Sequence, residues 1–158
     1  MDFENLYRTY SQKIFRVCLG YFNDADKAKD ITQDVFLIVY ENLKNLKHQK
    51  NISGWIYRIA SNRCLRQLEN EKQKHFIDEY EFLNLDEVQN TLDEANFVKL
   101  HQHISTLSEM DRLIIGFYLE DLSQKKIAEI VGLSHTNIRV RIHRIKEFLT
   151  KKMKNDAE

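Results

Sequence analysis

Residues that stop helices are nearly absent from this chain. It contains no proline and only four glycines among 158 residues. Proline breaks a helix interior and glycine weakens it, so few positions are left where a helix must end. Apolar residues recur every three or four positions in several segments, beginning with Phe3, Leu6, Tyr10 and Ile14. This spacing is typical of amphipathic helices. We therefore expect an all-α protein.

The charge distribution divides the chain into three parts. Basic and acidic side chains are equal in number, 24 each, but residues 1–74 and 100–158 carry a basic excess, whereas residues 75–99 are strongly acidic. Residues 75–91 also lack a helical period. We expect two small helical domains, residues 1–74 and 92–158, joined by an acidic linker, residues 75–91. Two basic units around an acidic spacer fit two nucleic-acid-binding units, although ordinary solvated charge would look the same.

The periodicity and the cap residues predict seven helices. Ser53 and Ser108 are candidate N-caps, the latter with Asp111 in the position of a capping-box acid. The expected helices span roughly 3–19, 24–46 and 54–73 in the first domain, then 100–107, 109–119, 124–131 and 135–152 in the second.

The most specific pattern is SQKKIAEIVGLSHTNIRVRIHR, residues 123–144. Ser123 caps one helix, Gly132 ends it, and Ser134 caps the next after a short turn. Ala128 supplies the small side chain that two closely crossing helices require. The combination predicts a helix-turn-helix, whose second helix enters the major groove of DNA.

The second of these helices has a basic face opposite its apolar stripe. Arginine can bind guanine through two hydrogen bonds, asparagine can bind adenine, and valine can contact the methyl group of thymine. A surface helix with solvated arginines is the alternative interpretation. The stripe consists of Ile138, Ile142, Ile145 and Leu149, and the candidate DNA-reading residues are Thr136, Asn137, Arg139, Val140, Arg141 and Arg144.

A weaker pattern lies on the third helix, where Trp55, Arg58, Asn62 and Arg66 share one flank. An aromatic ring among basic and amide groups suits unpaired nucleic acid, because bases stack on the ring while cations hold the backbone. A tryptophan on a helix is otherwise more often a core residue.

Other chemistry finds little support in the sequence. Cys18 and Cys64 lie in apolar helical patterns without the spacing of a metal or redox motif, so we expect reduced core residues. His101 and His103 point apart on a helix, and we expect surface histidines rather than a metal site. No catalytic motif, signal peptide or membrane-spanning segment is evident. We expect a cytoplasmic protein that is not an enzyme and has no cofactor.

Three segments in the same order carry a family resemblance. With QDVFLIVYENL, GWIYRIASNRCLRQL and LSEMDRLIIGFYLEDLSQKKIAEIVGLSHTNIRVRIHRIK, the chain resembles the extracytoplasmic-function group of bacterial sigma factors over nearly its whole length. The acidic middle is unmatched. Ser108 stands where many members have proline, and Val140 where many have serine.

The resemblance implies a role for each domain. The first would bind core RNA polymerase and open the downstream (minus-ten) promoter element, and the second would read the upstream (minus-thirty-five) element. Promoter DNA, core polymerase and an anti-sigma protein are the implied partners. The upstream element would be read by the six residues named above on the last helix. The implied core-binding residues are Asp30, Gln33, Asp34 and Phe36, and the implied downstream-element residues are His48, Asn51, Trp55, Arg58, Asn62, Arg63 and Arg66.

Two alternatives use fewer of these features. A stand-alone helix-turn-helix regulator would bind DNA as a homodimer, but it would leave the first domain without a purpose. A protein-interaction module would mainly hold an inhibitory partner, a role that could coexist with promoter recognition.

Overall fold

The computed structural model describes residues 2–48, 50–69 and 91–157, and all regular structure in these ranges is helical. The all-α prediction is confirmed. The predicted linker falls outside the described residues except for Thr91, which begins a helix. The helices are α1 (Phe3–Phe22), α2 (Ala25–Glu41), a 3₁₀ helix (Leu43–His48), α3 (Ile52–Glu69), α4 (Thr91–Ile104), α5 (Glu109–Leu119), α6 (Gln124–Val131) and α7 (His135–Ala157).

Polar side chains set the ends of the first helices. Asp2 and Asp24 cap α1 and α2, and Asn23 between them adopts a left-handed conformation with φ 53°. The predicted second helix is too long, because its last turns form the 3₁₀ helix. Asn42 ends α2 by donating from its side-chain nitrogen to the carbonyl of Ile38 at 2.8 Å. A side-chain donor that satisfies a terminal carbonyl in this way stabilises a helix end.

The N-cap of α3 is Asn51 and not Ser53, so this prediction was wrong. Oδ1 of Asn51 accepts a hydrogen bond from the backbone N–H of Gly54 at 3.0 Å. A methyl group at Gly54 would lie only 2.4 Å from the Asn51 side chain. The glycine therefore allows the cap to close, and α3 begins one residue before the predicted cap.

Helices α1, α2 and α3 pack around fully buried apolar side chains, among them Ile14, Val35 and Ile56. Cys18 and Cys64 are buried free thiols in this core, with sulfur atoms 3.8 Å apart. The hydrogen bond with the Cys18 thiol, and then burial, raise the pKa of Cys64 well above its usual value. Their assignment as reduced core residues is confirmed.

The second domain consists of α4 to α7. Ser108 caps α5 and accepts from the backbone N–H of Asp111, as predicted. His101 on α4, predicted to be a surface residue, is 95% buried instead, with its ring against Gly20 of α1. Burial lowers the pKa of His101 to about 4, so the ring is neutral near pH 7. No helix in the described ranges is both long and apolar enough to span a bilayer.

The two domains pack against each other and share one continuous core. Helix α5 crosses α1, and α6 lies on α3. The rings of Tyr57 on α3 and Phe117 on α5 meet edge to face, with centroids 5.5 Å apart. The sequence predicted two units on a tether, but it did not predict this contact between them.

Candidate nucleic-acid interface

The helix-turn-helix has the predicted local geometry. Ser123 and Ser134 accept from the backbone N–H groups of Lys126 and Asn137, each at 3.1 Å. Gly132 takes φ 80°, and its N–H donates to the carbonyl of Ala128 at 2.9 Å. A left-handed residue at this point turns the chain sharply without steric cost to glycine. Helices α6 and α7 are therefore joined by a short turn whose ends are capped on both sides.

Helix α7 separates its apolar and basic residues as predicted. The four residues of the apolar stripe are all buried, between 0% and 7% exposed. The opposite side carries exposed polar residues over the first three turns, which is the part of a recognition helix that contacts base edges. The exposed members of the predicted set are Thr136, Asn137, Arg139, Val140 and Arg144.

Arg141 differs from its neighbours because it is half-buried and held in place. Its Nε donates to Oδ1 of Asn137 at 2.7 Å, and its Nη1 forms an ion pair with Asp111 on α5 at 2.9 Å. The carboxylate of Asp111 thus binds Arg141, while its backbone N–H donates to the N-cap Ser108 of α5. Asn137 and Arg141, two of the six predicted DNA-reading residues, are thus hydrogen-bonded to each other.

The flank of α3 is partly as predicted. Arg58, Asn62 and Arg66 are exposed, Arg63 is half-buried, and Trp55 is half-buried with its ring against the core. The packing of Trp55 agrees with the core interpretation, and its role toward nucleic acid stays a prediction. Asn51 lies at the start of the helix as its cap, and His48 is the last residue of the 3₁₀ helix.

Helix α6 contacts the first turns of α3. Arg58 donates from Nη2 to the backbone carbonyl of Glu129 at 3.3 Å. Lys126 donates to the hydroxyl of Ser53, and its ammonium lies 5.8 Å from the ring centroid of Tyr57. The first domain therefore contacts the helix-turn-helix through residues beside its own candidate strand-binding surface.

The exposed side of α2 is the candidate protein-binding surface. Asp30 and Gln33 are exposed and Asp34 is half-buried, whereas Phe36 is only 3% exposed. The prediction that Phe36 contacts core polymerase directly is therefore wrong, because its ring packs against Phe3 and Tyr7 within the domain.

Sequence reasoning missed two residues of this surface. Leu37 and Tyr40 are 58% and 63% exposed on the side of α2 that Asp30 and Gln33 occupy. The signal was present, because residues 35–40 are apolar on both sides of the helix, more than one core can cover.

Two family models match the chain in succession. The model of sigma-70 region 2 matches residues 6–74, and the model of sigma-70 region 4 matches residues 97–149. The chain belongs to the sigma-70 family. Its relatives in Bacillus subtilis include the ECF RNA polymerase sigma factor SigW, 26% identical over 97% of this chain and 89% of that protein. The RNA polymerase sigma factor YlaC is 27% identical over 98% and 94% of the two chains.

This sigma factor is of the extracytoplasmic-function type, which confirms the resemblance found in the sequence. Solved structures that share its fold include the following two. One is the sigma factor RpoE in complex with the anti-sigma factor NepR from Bartonella quintana, with TM-score 0.77, 17% identity and 97% of each chain covered. The other is CnrH in complex with the cytosolic domain of CnrY, with TM-score 0.70, 19% identity, and 98% of this chain and 88% of that chain covered.

Proposed function

We propose that this sigma factor binds core RNA polymerase in the cytoplasm, reads the upstream promoter element with α7, and holds the melted downstream element on α3. The observation that carries the proposal is the presence, on one chain of this family, of a complete helix-turn-helix and a second basic, aromatic flank. A stand-alone regulator needs only the first.

Upstream recognition follows from the exposed face of α7. Arg139 and Arg144 are free of the core and can reach guanine edges or phosphates. Val140, 39% exposed, is placed for an apolar contact such as a thymine methyl group. Asn137 and Arg141 would exchange their mutual hydrogen bond for contacts with bases.

In the downstream element, we expect the flank of α3 to bind one unpaired DNA strand. Trp55 offers the uncovered part of its ring for stacking, and Arg58, Asn62 and Arg66 follow at helical spacing to hold the backbone. Arg63 stands at the edge of this row. His48 and Asn51, before the helix, would border a pocket for a base taken out of the stack, an extrusion that costs a few kcal/mol.

Core binding is assigned to the exposed side of α2. Asp30, Gln33 and Asp34 provide hydrogen-bonding and charged groups. Leu37 and Tyr40 add exposed apolar area, although the ring of Tyr40 also contacts the ring of Phe3, at 5.3 Å between centroids. An apolar patch rimmed by polar residues is typical of a protein interface.

The deciding experiment is run-off transcription with purified core polymerase and a library of promoter templates, with and without this chain. We expect transcripts only when the sigma factor is present. Asp34→Ala should reduce competition for core enzyme, whereas Glu4→Ala, an exposed change on α1, should not. If the chain binds duplex DNA but starts no transcript from any template, the stand-alone regulator is the better description.

We also propose an anti-sigma protein as a partner. Of the solved structures named above, RpoE was obtained in complex with the anti-sigma factor NepR, and CnrH in complex with the cytosolic domain of a second protein, CnrY. Affinity capture of the tagged sigma factor from its native cells should recover a second small protein besides polymerase. Recovery of polymerase alone, in growing and stressed cells, would speak against this partner.

A further inference from the structure

Three polar side chains from two helices are linked by hydrogen bonds at the proposed reading face of α7. Asp111, in the first turn of α5, accepts from Nη1 of Arg141 at 2.9 Å, and Nε of Arg141 donates to Oδ1 of Asn137 at 2.7 Å. Asp111 and Arg141 are 30 positions apart in the chain. Arg141 therefore has one bond within its own helix and a second bond to a different helix.

The position of the Asp111 carboxylate is set by α5. The backbone N–H of Asp111 donates to the N-cap hydroxyl of Ser108, and the helix that follows is anchored by Leu113 and Ile114, which are fully buried. The side chains of Asp111 and Arg141 are 25% and 33% exposed. Solvent ions screen such a pair less than they screen a fully exposed pair. The guanidinium is thus tied to a helix start that capping and packing hold in place.

The two bonds of Arg141 use different sides of its planar guanidinium. Asp111 takes Nη1. Nε and Nη2 lie along another edge, which can donate two parallel hydrogen bonds to a single partner. Asn137, an exposed residue, places its amide oxygen at Nε on this edge. If the N7 and O6 acceptors of guanine replaced that oxygen, the bond to Asp111 could remain.

A carboxylate at this position does not serve simple attraction to DNA. Phosphates repel Asp111, and its charge cancels part of the positive charge of Arg141. Contacts to phosphate position a protein on the duplex, whereas contacts to base edges specify the sequence. A residue that weakens the first kind of contact and orients a donor for the second kind fits a role in specificity.

Orienting Arg141 before DNA arrives also lowers the entropic cost of the base contact. A long side chain that becomes immobilised on binding loses rotamer freedom, which is equivalent to about 2- to 12-fold in affinity. With Nη1 already bound to Asp111, much of that freedom is lost on folding instead. The gain applies only to the base that Arg141 contacts, so it increases discrimination between sequences.

We propose that Asp111 is a positioning residue for upstream recognition: it holds Nη1 of Arg141 so that the Nε–Nη2 edge binds a guanine once Asn137 releases it. This inference rests on the proposed function of α7. It deepens that function by naming the base and by adding a residue that lies outside the recognition helix.

The test measures base preference with the full chain assembled with core polymerase. The probe is a library of promoter duplexes randomised over the upstream element, and sequencing of the bound fraction gives the preference at each base pair. Arg141→Ala should lose the preference for one guanine, by about 5- to 150-fold. Asp111→Asn keeps the shape and removes the charge, and it should lower the preference for the same guanine by about 2- to 12-fold. Preferences at the other base pairs should stay as they are.

Three comparisons distinguish positioning from a general effect on the fold. In the Arg141→Ala background, Asp111→Asn should change no preference further, because its partner is gone. Asp111→Glu, which keeps a carboxylate, should retain more of the guanine preference than Asp111→Asn. Glu109→Gln is the matched control, since it removes the same charge from the same turn of α5 at an exposed position, and it should leave every preference unchanged.

Affinity for duplexes that lack the preferred guanine supplies an independent sign. Asp111→Asn removes a charge that phosphates repel, so these duplexes should bind equally well or more tightly. Loss of folded protein would weaken binding to all duplexes alike. A lower guanine preference together with undiminished binding to the other duplexes is therefore the result expected of a positioning residue and not of a structural one.

The outcomes separate this inference from the proposed function. If Asp111→Asn keeps the full preference for the guanine that Arg141→Ala loses, or weakens all duplexes equally, the positioning role is overturned and upstream reading by α7 stands. If Arg141→Ala loses no preference although the parent reads the element, Arg141 is not a base reader and the inference fails with it. A parent assembly without preference at any base pair would overturn the reading function itself.

Discussion

Replacement of Gly132 isolates the energetic cost of the turn in the helix-turn-helix. Gly132 has φ 80°, and a methyl group added to it would meet no atom within 4 Å. A clash is therefore excluded, and the cost of Gly132→Ala comes from the left-handed backbone alone. For an L-residue that cost is roughly 1–2 kcal/mol. Asparagine adopts this conformation more readily, so Gly132→Asn should lose less than half as much.

Urea and thermal unfolding of the full chain measure these differences. One kcal/mol shifts the melting temperature of a domain of this size by roughly 2–4 °C. Gly132→Ala should therefore melt about 2–8 °C lower, with Gly132→Asn between it and the parent. Lys125→Ala, at an exposed position on the preceding helix, should stay within about 0.5 kcal/mol of the parent.

Two results would refute this reasoning. Equal losses for alanine and asparagine would mean that the left-handed conformation is not the cause. A loss above about 4 kcal/mol would require a hidden contact, because backbone strain at one residue does not reach that size.

Three further predictions concern charge and titration. Arg144→Ala should weaken upstream-duplex binding and lower the slope of log affinity against log salt by about one, in a fluorescence titration at several salt concentrations. Burial, and then the nearby Glu120, raise the pKa of Tyr57 to about 12. The unfolded chain therefore loses this proton at lower pH than the folded chain, and the free energy of unfolding falls as the pH rises from 10 to 12. Urea unfolding of Tyr57→Phe should not show this fall. Burial lowers the pKa of His101 to about 4. The unfolded chain therefore binds this proton at higher pH than the folded chain, and the free energy of unfolding falls as the pH drops from 6.5 to 4. Urea unfolding of His101→Leu should not show this fall.

The features predicted best from the sequence are those that depend on residues a few positions apart, such as helix starts. The last three helices were placed with correct starts, because Ser108, Ser123 and Ser134 act on N–H groups only three residues away. The apolar stripe of α7 was found because one buried face leaves a strong period. Asn51 was missed as a cap because Ser53, also a good cap residue, stands two positions later.

The burial of single residues and the contacts between helices could not be predicted, because they depend on residues far apart in the sequence. Phe36 and Leu37 are neighbours of similar apolar character, yet one is buried and the other 58% exposed. His101 is polar and was assigned to the surface, but α1 covers it. Arg16 and Glu120 are separated by 104 positions, and no period in the chain connects them. The sequence indicated which faces were apolar or charged, but not which faces meet.

The ion pair between Arg16 on α1 and Glu120, just after α5, leads to a last prediction. Nε and Nη2 of Arg16 donate to the two carboxylate oxygens of Glu120 at 2.9 and 2.8 Å. The net value of such a paired contact is small, because desolvation offsets much of the attraction. Removing one partner is different, since it leaves the Glu120 side chain, 9% exposed, as an uncompensated buried charge. We therefore expect Arg16→Met alone to lower the free energy of unfolding in urea by roughly 1–3 kcal/mol, and Arg16→Met combined with Glu120→Leu to restore most of it through apolar packing. If the double apolar variant were as unstable as the single one, the ion pair itself would hold the domains together, and stability should then fall with added salt.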